Sequence, residues 1–145
     1  MREEISHQII MLAHAHRQYA EEALSQIGLH ATQEHMLFLL HQEDGLTPTQ
    51  LASRWFFNVG LATIVKTIQR MERAGFLESR PDPRDRRASR VYLTERGCSL
   101  YKPALQVWNA LTERTVRGMN DIEQVIFHRL LQQAVENLVS DEDER

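Results

Sequence analysis

Residues 80 to 94 read Arg80-Pro81-Asp82-Pro83-Arg84-Asp85-Arg86-Arg87-Ala88-Ser89-Arg90-Val91-Tyr92-Leu93-Thr94. Two prolines in three positions forbid a helix here and push the residue before each of them into extended geometry. Val91 and Leu93 then fall on one face, with Tyr92 on the other, the alternation of a half-buried strand. The stretch therefore predicts a β-hairpin with a cationic tip, because five arginines lie between positions 80 and 90. Such a tip suits an anionic partner, and DNA phosphate is the foremost candidate.

Immediately upstream, Phe76-Leu77-Glu78-Ser79 reads as the first strand of that hairpin. Before it, Ile64, Ile68 and Met71 recur at helical spacing as an inward face. The opposite face carries Ala62, Thr63, Lys66, Gln69, Arg70 and Arg73, and Gly75 stands where a glycine ends a helix. Further back, Thr47-Pro48-Thr49-Gln50 combines an N-cap threonine, a proline at the first helical position and a glutamine at the third, a capping box. It predicts a short helix through Leu51, Ala52 and Trp55, then a turn over Phe57-Asn58-Val59-Gly60. Trp55, Phe56 and Phe57 are expected in the core of this lobe.

The flanks read as long helices. Ile5, Ile9, Leu12, His16, Tyr19, Ala23 and Ile27 form one stripe that Gly28 terminates. Thr32 is the expected N-cap of a second helix, closed by Glu43-Asp44-Gly45. After the hairpin, Thr94 is expected to cap one long helix running toward Gly118. Asn120-Asp121-Ile122-Glu123 is a second capping box, and it opens a last helix.

Length and apolar content, 145 residues and 42%, suit one compact domain, or a small domain with an oligomerisation element. No run approaches the ~18 apolar residues of a membrane span, and no leader peptide is expected. The single cysteine, Cys98, excludes an intramolecular disulfide framework and fits a cytoplasmic chain. Net charge is −3, yet Thr47 to Arg96 holds ten Lys/Arg against five Asp/Glu, leaving seven against fifteen elsewhere. A basic face thus sits within an acidic scaffold. No nucleophile–base pair, phosphate-cradling loop or metal motif points to an enzyme.

A short capped helix, a turn, a helix with a polar-basic outer face and a basic hairpin together describe a winged helix-turn-helix. The chain resembles the multiple-antibiotic-resistance regulator (MarR) family of bacterial transcription factors. The resemblance lies in Leu51-Ala52, in Arg70-Met71-Glu72-Arg73-Ala74-Gly75-Phe76-Leu77 and in Asp82-Pro83-Arg84-Asp85-Arg86-Arg87. Val91-Tyr92-Leu93-Thr94-Glu95-Arg96-Gly97 completes it, and the flanking helices match the family layout as well. From Leu51 to Met71 the chain runs slightly longer than the family pattern.

The resemblance implies a mostly α fold with a small β-hairpin wing, a winged helix-turn-helix lobe on a helical dimerisation platform. Residues 1–30 and 95–140 would form the platform and 31–94 the DNA-binding lobe, with 141–145 an acidic flexible tail. It further implies a homodimeric repressor of a pseudo-palindromic operator, read by a recognition helix at about 61–74 and a wing at 80–90. Arg86 would enter the minor groove, with Arg84, Arg87 and Arg90 nearer the phosphates and Asp85 orienting Arg84 or Arg86. DNA release would follow binding of a small aromatic or carboxylate ligand, with no cofactor. His14, Arg17, His35, Phe38 and Trp108 are the candidate walls of that ligand's pocket.

Two alternatives stand beside this. Six of the seven histidines lie within the first 41 residues, which raises a zinc-responsive regulator, although no pair has metal-ligand spacing on one helix face. The other alternative is a winged-helix protein-interaction module that does not bind DNA.

Overall fold

The computed structural model describes residues 1–56 and 58–140. In chain order these form α1 (Arg2–Gln26), α2 (Ala31–Gln42), α3 (Pro48–Ser53), α4 (Leu61–Arg73), β1 (Leu77–Pro81), β2 (Ser89–Leu93), α5 (Glu95–Ser99), α6 (Tyr101–Thr115) and α7 (Asp121–Ser140). The chain is mostly helical, with one small antiparallel sheet, and divides into two compact units, Met1–Leu111 and Thr112–Arg145. The expected acidic tail at 141–145, like Phe57, lies outside the described residues.

Both capping boxes form as their spacing requires. Thr47 N–H donates to Gln50 Oε1 (2.9 Å), and Gln50 N–H donates to Thr47 Oγ1 (3.2 Å). Asn120 and Glu123 exchange the same pair of bonds, at 2.8 and 3.0 Å. The start of α2 differs from expectation, because His30, not Thr32, is the N-cap. Gln33 explains the shift: its side chain reaches back to the His30 N–H (3.2 Å), so the first turn is set two residues earlier.

The expected single helix after Thr94 is also broken. Thr94 does cap a helix, accepting from Gly97 N–H through Oγ1 at 3.0 Å. That helix ends at Ser99, and α6 begins at Tyr101. Pro103 accounts for the break, since it lacks the N–H that would bond to Ser99 and its ring crowds that carbonyl. The α3 helix likewise stops at Ser53, short of Trp55.

The first unit has a continuous core. Leu24, Met36, Leu37, Leu40, Leu51, Ile64, Met71 and Val91 are fully or almost fully buried within it. The inward face expected for α4 is confirmed, with Ile64, Ile68 and Met71 buried. In α1, however, the buried residues are Ala20 and Leu24, beside the expected stripe and not on it, and the stripe's His16, Tyr19, Ala23 and Ile27 are only half-buried. Ile5, Ile9, Ile10, Met11 and Leu12 remain exposed. Trp55 packs against the core as expected, whereas Phe56 is 82% exposed.

In the second unit, no α7 side chain described is buried, and eight large apolar side chains between Ile122 and Val139 face outward. No helix among the described residues is long and apolar enough to cross a membrane.

The sheet pairs Leu77 with Leu93, Ser79 with Val91 and Pro81 with Ser89. Hence β1 starts one residue later than expected and continues through Pro81, whose missing donor an edge strand tolerates. On its other edge β2 is bridged to Leu46. Val91 N–H donates to the Leu46 carbonyl (2.9 Å), and Gly45 N–H donates to the Val91 carbonyl (3.0 Å).

At the foot of the hairpin, Thr94 N–H donates to the Phe76 carbonyl (3.1 Å) and Thr94 Oγ1 donates to the Gly75 carbonyl (2.6 Å). This draws α5 tight against the start of β1. A Cβ at Gly97 would lie 2.1 Å from the Phe76 carbonyl oxygen, backbone that cannot rotate away. Gly97→Ala is therefore expected to destabilise the fold by about 2–3 kcal/mol, the cost of overpacking a rigid contact. Urea unfolding followed by circular dichroism checks this, and an unchanged midpoint would contradict it.

Candidate nucleic-acid interface

The outer face of α4 is as expected: Ala62, Thr63, Lys66, Gln69, Arg70 and Arg73 are all exposed. Lys66 and Arg70 extend without a protein partner among the described residues, while Arg73 Nε donates to the Gln69 carbonyl at 3.3 Å. The helix is tied to the hairpin by a hydrogen bond from Ser79 Oγ to the Glu72 carboxylate. Exposed donors on a braced helix suit the major groove, where each base pair presents its own donor/acceptor pattern.

The hairpin tip is built on two aspartates. Asp82, buried at 7% exposure, accepts the Arg84 N–H at Oδ1 (2.9 Å), while Asp85 Oδ1 accepts the Arg87 N–H (3.0 Å). These are Asx-type turns, in which a short acidic side chain stands in for a backbone acceptor. Asp82 N–H donates to the Ala88 carbonyl (2.9 Å) and closes the loop. Asp85, expected to orient an arginine side chain, instead holds a backbone amide, because its exposed carboxylate sits two residues before a free N–H.

The five arginines then separate into two groups. Arg90 points inward: its Nε donates to Asp82 Oδ2 (3.0 Å) and its Nη1 to the Gly45 carbonyl (2.8 Å). Arg80 pairs with Glu78 and lies over the Tyr92 ring at 4.6 Å. Arg84, Arg86 and Arg87 are exposed at the tip, with no hydrogen-bond or ion-pair partner for their guanidinium groups among the described residues. Arg90, expected near phosphate, thus also serves as a brace, with two of its five N–H donors engaged by Asp82 and Gly45.

The Arg84 N–H is the main influence holding the Asp82 carboxyl below the usual range; desolvation opposes it, and the Arg90 bond and the charges of Arg90 and Arg84 add to it. A depressed value means that the contribution is present above the ordinary 3.8 and is lost only as pH falls below it. The brace is therefore fully charged at neutral pH.

Three residues have a supporting role that the sequence does not assign to them. Asp44 Oδ1 accepts the Leu93 N–H (3.0 Å), and Asp82 and Gly45 receive Arg90. Gly45 has φ +75°, and a Cβ there would stand 2.8 Å from the Tyr92 ring, so only glycine fits both conditions. Asp82 carries a readable signal, the Asp-Pro turn pattern; Asp44 and Gly45 act across some 45 residues of chain and carry none.

Of the five expected pocket residues, three are engaged by other side chains. Trp108 Nε1 donates to Glu34 Oε1 (2.6 Å), with the His16 ring 5.6 Å away. Phe38 meets Tyr101, and His35 lies edge-on to Trp55 at 4.4 Å. His14 and Arg17 are exposed on α1. Two surface cavities, of about 260 and 250 Å³, are lined by none of the five. The larger is walled by Tyr19, Ala23 and Gln26 of α1, by Ile27 just past its end and by Gln106 and Val107 of α6.

Burial raises the Glu34 carboxyl above its usual range against the pull of the Trp108 bond, and burial lowers His35, whose Nε2 is enclosed without a partner among the described residues. Among the described residues, no three His, Cys, Asp or Glu side chains converge as metal ligands.

Comparison with known proteins places this geometry. A model of the MarR family matches residues 29–89. The transcriptional regulator AdcR of Streptococcus pneumoniae is 33% identical over 130 residues, covering 85% of this chain and 84% of its own length. The HTH-type transcriptional repressor IacR of Pseudomonas putida is 25% identical over 130 residues, covering 88% and 77%. A crystal structure of a mutant MarR from E. coli complexed with operator DNA shares the fold, with a TM-score of 0.77 and 22% identity over 90% of this chain and 93% of that one.

The brace makes a prediction that simple charge counting reverses. Removing the acid in Asp82→Ala deletes a negative charge beside the basic tip, which by Coulomb's law alone would strengthen DNA binding. Because the substitution also releases Arg90 and the Arg84 amide, it is expected to weaken DNA binding several-fold, read by fluorescence anisotropy. Tighter binding by the variant would show that the brace does not order the tip.

Proposed function

This chain belongs to the MarR family of transcriptional regulators, and on that premise we propose that it works as a homodimeric repressor whose two reading heads grip a pseudo-palindromic operator. As a member of the family it is a DNA-binding regulator and not an enzyme. The observation that carries the finer reading is the triplet of guanidinium groups, Arg84, Arg86 and Arg87, left unpaired among the described residues on a braced tip beside the exposed face of α4.

In this reading α4 enters the major groove, and Arg86 enters the minor groove, whose negative potential attracts an arginine. Arg84 and Arg87 lie at the flanking phosphates. That E. coli MarR was crystallised with operator DNA, and that IacR is named a repressor, both support this assignment.

Dimerisation follows from surfaces that one chain leaves uncovered. Residues 1–30 and 95–140 supply the platform, and residues 31–94 the DNA-binding lobe. On α1, Ile5, Ile9 and Leu12 are 55%, 52% and 38% exposed, and on α7 Ile122, Val125 and Leu138 are each at least 69% exposed. Apolar stripes this long on well-formed helices call for a protein partner, and a second copy of the same chain meets that need with matching faces.

In this reading a small effector would occupy the open groove between α1 and α6, where Ala23, Ile27 and Val107 stand beside Gln26 and Gln106. That lining fits a small aromatic ligand with one or two hydrogen-bonding groups. Binding there would shift the spacing of the reading heads by favouring one dimer geometry over another.

Two measurements test this. The native protein is expected to sediment at about twice its 16.9 kDa chain mass, and Leu130→Glu, which puts a charge into the α7 stripe, to give a folded monomer; an unaltered monomer in both cases would remove the dimer. On DNA flanking the protein's own gene, each neutralised phosphate steepens the fall of log affinity with log salt by about 0.9. Arg86→Ala removes one cation per subunit from a groove walled by phosphates, and is therefore expected to flatten that slope by roughly two units per dimer without lowering Tm. An unchanged slope and affinity would reject the tip as a DNA contact.

A further inference from the structure

We propose that the first turns of α4 read thymine through its C5-methyl group, with Leu61 and Val65 as the specificity-determining side chains. The inference rests on α4 being the reading helix. In helix-turn-helix docking, the residues at the N-terminal end of that helix are the ones that reach base edges.

Here those positions are apolar apart from Thr63, an exposed residue that carries both a methyl and a hydroxyl. Leu61 is 49% exposed and Val65 36% exposed, and Ala62 between them is exposed as well. The nearest amine, amide or guanidinium on this helix is at Lys66, with Gln69 and Arg70 following. One turn apart, Leu61 and Val65 are neighbours on one flank. The core side of the same helix is filled by Ile64, Thr67, Ile68 and Met71.

Folding does not account for these choices. Leu61 and Val65 belong to neither the buried core nor the partly buried shell against it. A β-branched residue at an exposed helical position costs stability relative to alanine, by about half a kcal/mol. Gly60, at the N-cap, lies at φ −63°, and a Cβ there would meet nothing within 4 Å, so neither strain nor packing demands glycine. Gly60 and Ala62 together keep the start of the helix narrow enough for close approach to base pairs.

Of the groups displayed in the major groove, one is apolar, the thymine methyl. Guanine, adenine and cytosine offer acceptors and amines there, none of which Leu61 or Val65 can pair, and desolvating them against an aliphatic side chain is unfavourable. Thymine is therefore the base these two side chains select. Lys66, Gln69 and Arg70, the next polar positions, then face the purines beside it, since lysine and arginine suit guanine and glutamine suits adenine.

The test begins by selecting tight-binding duplexes from a random pool with the full-length protein. Half-sites with a recurrent thymine are expected. Each such thymine is then replaced by deoxyuridine, which removes the methyl and leaves the pairing intact, and affinity is measured for wild type and for Leu61→Ala/Val65→Ala.

Wild type is expected to lose about fourfold per contacted methyl, the transfer value of one buried methyl group, and roughly tenfold or more when both half-sites are changed. The double variant should bind the two DNAs alike, with unchanged Tm. Equal binding of both DNAs by wild type, or selected half-sites lacking thymine, would overturn the inference while leaving α4 as the DNA reader. A pool that enriches no sequence would remove the operator reading itself, and this inference with it.

Discussion

Strand β2 is the constraint on which the DNA-binding lobe depends. One edge pairs with β1 and the other with the Asp44–Leu46 segment that follows α2, so the hairpin is joined to the helical core by backbone bonds on both sides. Val91 is completely buried at that junction, and its backbone groups have no water to turn to if the bridge to Leu46 opens. Arg90, one residue earlier, spans the same gap through its side chain, linking the Asp82 carboxylate in the tip to the Gly45 carbonyl. A two-stranded hairpin alone is marginally stable in water. Tied along β2 in this way, it becomes a rigid extension of the core.

That rigidity decides what the arginines can do. A guanidinium already holding a carboxylate and a carbonyl has fewer donors left for phosphate, whereas one on a fixed backbone with no partner loses less entropy on contact. Arg90 is of the first kind; Arg84, Arg86 and Arg87 are of the second. The chain's net charge of −3 is no obstacle, because the field that DNA meets is set by the local cluster and screened beyond about 8 Å at physiological salt. Acidic residues inside the tip serve the same end: Asp82 and Asp85 fold the loop through backbone amides and leave the cationic ends outward.

What can be read from the sequence is what depends on close neighbours. Thr47 with Gln50, and Asn120 with Glu123, are three residues apart, and their bonds form as the spacing requires. The buried face of α4, the exposed row from Ala62 to Arg73 and the hairpin after Pro81 follow from periodicity and from proline. Pro103 is equally visible, yet the strong start at Thr94 and the stop at Gly118 make one long helix look continuous. The division of the arginines is not legible, because Arg90 finds its acceptor at Gly45, far back in the chain. The surroundings of the effector candidates are hidden for a related reason. Polarity and aromatic character suggest His35 and Trp108 for a pocket, but Trp108 is taken up by Glu34 and His35 by Trp55.

Exposed apolar side chains carry different meanings at different places on this molecule, and extent separates them. On α7 they recur along the length of the helix, with Ile122, Val125, Ile126, Leu130 and Leu138 all uncovered, an area that only another protein surface can bury. On α4 they are two side chains set beside lysine, glutamine and arginine, an area about right for a methyl group or two and far too small for a protein interface. Cationic neighbours would also repel a basic partner while drawing in a polyanion. Hydrophobic exposure thus carries two meanings on one chain, a protein-sized face along the long helix and, in the proposed reading, a base-sized one on α4.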